Sequence, residues 1–209
     1  MKRRQVASRQ RGFTMIEMLV VLVFVVLMMV LALPNLMAAI RQGKMRGAAT
    51  ETATLMRLAR LEAIKQSCRT IVRILPATVD IKVDRVESVI DCDGDGKQDV
   101  DKTPLGTFPL PPRIRFLAPG NLKNAASVSG LSADPAGGAA NVAIFQSNGS
   151  ISETGGFRLG DVYGNFLEVW VEPAATARVE VHKCRVCTSA APSADWQANG
   201  KDGQTWTWK

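Results

Sequence analysis

Between Asp91 and Asp101 the chain reads DCDGDGKQDVD, which sets Asp91, Asp93, Asp95 and Asp99 in a D-x-D-x-D-G-x-x-D pattern. Alternate carboxylates in a tight loop converge on a hard cation, and Gly96 permits the turn, so calcium is the cofactor this spacing suits. A complete loop of that type closes with a bidentate Glu at its twelfth position, where this chain has Lys102. A solvated acidic turn holding no ion is therefore the competing expectation. Cys92 lies inside the loop, and Cys68, Cys184 and Cys187 complete an even set of four. Four cysteines allow three connectivities, and nearness in sequence favours Cys68 with Cys92 and Cys184 with Cys187. Zinc would need a second half-site beside Cys184 and Cys187, and the only histidine is His182.

The C-terminal stretch mixes Arg185, Lys201 and Lys209 with Trp196, Trp206 and Trp208. Aromatic faces and cations together can bind single-stranded DNA by stacking and charge. Asp195 and Asp202 dilute that charge, and Trp-Thr-Trp is also what one half-buried strand shows. Catalytic patterns are thin: there is no Gly-x-Ser-x-Gly elbow and no glycine-rich phosphate loop. Glu168 and Glu172 fall on one face of a strand-like run, where two carboxylates commonly form a solvated surface. His182 reads as a strand residue, and no enzymatic activity is expected.

Residues 68–209 hold short β-rich runs between Gly, Pro and Asn. The runs are TIVRIL, VDIKV, ESVI, RIRFLA, NVAIFQ, FLEVWVE and ARVEVHK. Ser147-Asn148-Gly149-Ser150 supplies residues that tolerate positive φ, so a hairpin turn is expected after Phe145. Residues 119–141, rich in Gly, Ala, Asn and Ser, read as a surface loop. Upstream, Met45, Ala49, Thr52, Met56, Ala59 and Ala63 recur at steps of four and three, the stripe of an amphipathic helix over 41–67. A long helix laid on an antiparallel sheet is the α+β fold this order implies.

The net charge of +7 owes +5 to Lys2, Arg3, Arg4, Arg9 and Arg11. A basic tract followed by an uncharged run from Met18 to Ile40 is the pattern of a membrane span with a cytoplasmic N-terminus. Arg41, Lys44 and Arg46 after the run reduce the asymmetry. A removable secretory signal would be shorter, with a small-residue cleavage site. Glu17 is unusual here, because an ionised carboxylate at the hydrocarbon edge costs about 2–3 kcal/mol unless it finds a cation. A newly made N-terminal amine would supply one. Pro34 removes one intrahelical hydrogen bond, which predicts a kink or local melting.

Arg11-Gly12-Phe13-Thr14 followed by MIEMLVVL resembles the leader and processing site of type IV pilins and type II secretion pseudopilins. The resemblance implies a pilin-like fold, with a prepilin peptidase cutting after Gly12 and methylating Phe13. It also implies that Glu17 meets the Phe13 ammonium of a neighbouring subunit during assembly. The chain then divides into a basic leader (1–12), a transmembrane and assembly helix (13–40), its amphipathic continuation (41–67) and a periplasmic β-rich domain (68–209). ARLEAIKQ, IFQSNGSI and FLEVWVEP are similar to parts of the GspH/FimT subgroup of minor pilins and pseudopilins. The partners so implied are other pilins, the peptidase, an assembly ATPase and an inner-membrane platform, with the chain passing from inner membrane to pilus or pseudopilus. Some FimT-type pilins act in DNA uptake through basic C-terminal motifs, and Ala177-Arg178-Val179-Glu180 departs from a dense arginine motif. An anchored calcium- or DNA-binding module that never polymerises is the alternative.

Overall fold

The computed structural model describes residues 13–78, 80–117, 128–138, 141–184 and 196–198. Helix α1 (Met15–Gln66) precedes β1 (Arg69–Leu75), β2 (Arg85–Asp91), β3 (Gly106–Pro109), β4 (Ile114–Phe116) and β5 (Val128–Gly130). There follow β6 (Ala143–Phe145), β7 (Gly155–Asp161), β8 (Phe166–Glu172), β9 (Arg178–Cys184) and β10 (Trp196–Ala198). The expected α+β arrangement forms, with the long helix packed on two antiparallel sheets. The chain divides after Arg41 into two compact units.

All six residues of the expected helical stripe, Met45, Ala49, Thr52, Met56, Ala59 and Ala63, are buried. Its alanines let the sheets approach the helix closely, and Met45, Leu55 and Met56 fill the remaining volume. The Thr52 hydroxyl would be an unpaired polar group in that core, and it donates to the Ala48 carbonyl at 2.9 Å. Two arginines fasten the same stretch: Arg57 donates to the Val179 carbonyl and Arg60 to that of Gly149, each at 2.9 Å.

The first sheet runs β3-β2-β1-β6. Alternation along β1 sends Val72 and Ile74 to the main core with Val86 and Phe145, while Ile71 joins Val89, Val142 and Ile144 on the opposite face. The second sheet runs β10-β9-β8-β7-β4, with β5 also on β7. Phe157, Leu159, Leu167, Val169 and Val171 carry it into the same core. Phe116 meets Phe157 edge to face at 6.2 Å. The turn after Phe145 forms as expected, Gly149 donating to the Gln146 carbonyl with φ at +81°.

Several expectations need correction. VDIKV is no strand: Thr78 and Ile81 close a turn on each other through two hydrogen bonds, and pairing begins only at Arg85. Within 119–141, expected as loop throughout, Val128–Gly130 pairs with β7. Strand β7, reading GGFRLGD, was hidden by its glycines. Gly156 is needed there because a Cβ would stand 2.4 Å from the Val169 carbonyl oxygen. Pro34, where a kink or local melting is expected, lies inside α1, which runs on through it to Gln66.

Glu168 is the other correction, since it is buried beside Arg158 at 2.8 Å and faces no solvent. Arg158 in turn lies 5.3 Å over the Trp196 ring. Burial pushes the Glu168 carboxyl above its ordinary value, and the charge and hydrogen bond of Arg158, with the His182 ring, pull it only part of the way back. A raised folded-state value gives stability below the unfolded value that is lost as pH rises through the folded one. Glu168→Gln cannot ionise, so its stability relative to the parent should improve between pH about 4 and about 7. Thermal melts of the full chain in detergent at both pH values check this, and a worsening with pH would contradict it.

Candidate functional site

Thr14 starts the helix. Its carbonyl accepts from the Glu17 and Met18 amides, and its hydroxyl lies 3.3 Å from the Glu17 amide. A Thr with Glu three residues on, before an apolar run, is the capping-box pattern. The Glu17 carboxylate makes no return bond and has no partner among the described residues. Around it the helix is apolar and uncovered, with Phe13, Ile16, Leu19, Val20 and Phe24 all exposed. This part of α1 is long and apolar enough to cross a membrane. The site is therefore a lone acid at the mouth of an apolar rod, four residues from Phe13. Gly12 and the leader lie outside the described residues.

The acidic loop is positioned by a staple at the other end of α1. Cys68, two residues beyond the helix, is bonded to Cys92, which follows β2 directly. Closing a loop of this size is worth about 3 kcal/mol through the unfolded chain. Beside the staple, β1–β2 register sets Arg69 opposite Asp91, and the guanidinium reaches one Asp91 oxygen at 2.6 Å. Asp91 also accepts from the backbone of Gly94 and Gly96 at 2.7 and 3.0 Å. Burial alone would raise its carboxyl, but these three hydrogen bonds and the Arg69 charge hold it below the ordinary value. Gly96 has φ at +82°, and a Cβ there would come within 2.4 Å of the Ala136 amide.

One oxygen from each of Asp91, Asp93 and Asp95 lies within 4.8 Å of the others. Asp99, the fourth expected ligand, is drawn away to the Cys92 amide at 2.7 Å. Arg69 was missed from sequence, because only the strand register reveals it as the partner of Asp91. Cys184 is disulfide-bonded, while Cys187 lies outside the described residues. So do Arg185, Lys201, Trp206, Trp208 and Lys209. His182 is a β9 residue whose ring lies 3.2 Å from Glu180, and Glu172 accepts from the Trp170 indole at 2.8 Å.

The N-terminal geometry, an apolar rod with one acid near its start, can be set against known families. Residues 7–33 match the family model of the prokaryotic N-terminal methylation motif. The motif indicates a type IV pilin-like, prepilin-processed protein and supports the pilin and pseudopilin class. With the apolar helix it is consistent with an anchored inner-membrane pilin. No curated protein and no solved structure matches the chain.

Proposed function

We propose that this chain is a structural subunit of a type IV pilus or type II secretion pseudopilus, of the minor pilin or pseudopilin kind, and not an enzyme. The observation that carries the reading is the N-terminal methylation motif on a helix whose apolar surface before Arg41 is uncovered. Such a surface is stable in lipid or against other apolar helices, and a subunit passing from membrane to filament uses both. Cleavage after Gly12 converts the Phe13 nitrogen into an ammonium beside the level of Glu17. In this reading the ammonium of one subunit compensates the acid of another. The mature chain in cells that hold a prepilin peptidase should begin at N-methylated Phe13, as read by intact mass. A chain that still starts at Met1 in those cells would refute the reading.

A second reading, an anchored calcium-binding module, is favoured by the convergence of Asp91, Asp93 and Asp95. The donor set is of the right chemistry, all oxygen and negatively charged, and would hold the ion at the surface end of the stapled loop. On this reading calcium raises the melting temperature of the full chain, and Asp93→Asn with Asp95→Asn removes the response. An unchanged melting curve for the parent chain dismisses it.

A further inference from the structure

Where α1 passes the start of β9, a groove of about 530 Å³ opens between Arg57, Arg60 and Leu61 on the helix and Thr176, Arg178 and Val179 on the sheet side. Aliphatic Leu61, Ala177 and Val179 line it together with three arginines. Arg57 and Arg60 are both held by backbone carbonyls, and neither meets a carboxylate among the described residues. Only Arg178 has an acidic partner, Glu180 at 2.8 Å, and its side chain remains 74% exposed. Leu61 is itself 61% exposed, an apolar group left to solvent between guanidinium groups. The guanidinium groups of Arg57 and Arg60, held in place and without a carboxylate, suit an acid, and the aliphatic lining residues suit an aliphatic side chain beside it.

The same chain presents that complement on its acidic loop. Val100 is fully exposed, flanked by Asp99 and by Asp101, whose side chain is 77% exposed. Lys102 approaches Asp101 only at 3.6 Å, and the amide of Cys92 takes one oxygen of Asp99. Resting on the reading of this chain as a filament subunit, we propose that Asp99, Val100 and Asp101 of one copy dock in the Arg57, Arg60 and Arg178 groove of a second copy.

Loop and groove are different patches, so the contact is head to tail, and each docked pair leaves one of each open for the next copy. Such an interface extends a row of subunits. Its area is small, well below the roughly 1,000 Å² of a self-sufficient interface, so it acts with helix packing and sets register. Anchoring in one membrane raises the effective concentration at which a weak contact of this kind is occupied. A nucleic acid strand is the less suitable occupant, since Leu61 and Val179 offer nothing to a phosphate backbone.

The test uses the full chain in its native membranes, with Arg57→Lys and Arg178→Lys placing amines at the rim without removing charge. A carbodiimide should then join two copies, with the peptide map linking position 57 or 178 to Asp99 or Asp101. Asp101→Asn removes a coupling carboxylate as well as an ion pair, so the readout is the link to Asp99, whose yield should fall about two- to fivefold, the range an exposed ion pair spans. No covalent dimer, links mapping elsewhere, or a yield indifferent to Asp101→Asn would overturn the contact. Sedimentation of filaments from the same cells reports separately: filaments without the link sink only this inference, and the link without filaments sinks only the filament reading.

Discussion

The constraint on which everything else rests is the uncovered apolar surface of α1 before Arg41. From Met18 to Ile40 no side chain carries charge, and the described residues offer this stretch no cover. Water cannot be its stable surrounding, because each exposed aliphatic side chain forgoes about 1.5–3 kcal/mol of burial. Lipid covers it at no cost to the backbone, whose hydrogen bonds are satisfied within the helix. Apolar helices of other subunits would cover it equally. On the proposed reading Glu17 discriminates between those two surroundings, since lipid offers a carboxylate nothing while an assembly of processed chains would offer ammonium groups.

Past Arg41 the same helix obeys a different rule. There the alanine-rich stripe faces two sheets of its own chain, and the helix serves as the spine of a folded domain. Its far end is secured three ways: the Cys68–Cys92 bond, the Arg69–Asp91 pair, and the arginines tying residues 57 and 60 to β9 and to the turn at Gly149. The helix is thus apolar all round before Arg41 and amphipathic after it.

Much of this was legible in the residues. The 3–4 stripe from Met45 to Ala63 gave the buried face correctly because helical periodicity leaves a strong pattern when one side is apolar. FLEVWVE marked β8 to the residue. Strand β7 was missed because Gly156 and Gly160 are chosen for close approach by Val169 and Phe166, a tertiary reason that no local propensity carries. Glu168 read as surface for the same kind of reason: its partner Arg158 lies on the neighbouring strand, so burial depended on pairing. At the acidic loop the spacing revealed Asp91, Asp93 and Asp95 together, yet the diversion of Asp99 to the Cys92 amide and the intrusion of Arg69 follow from register and the staple. The cap at Thr14 was readable from its spacing to Glu17 alone.

Charge compensation at the helix start is the claim that a single substitution reaches most directly. Glu17→Leu makes the segment more apolar, so membrane insertion should be retained, while the ammonium of the neighbouring chain loses its partner. A charge-assisted bond of about 1.5–3 kcal/mol implies that the variant's share in sheared, sedimented filaments falls roughly tenfold or more against the parent, at equal membrane abundance. Equal incorporation of parent and variant would contradict the account.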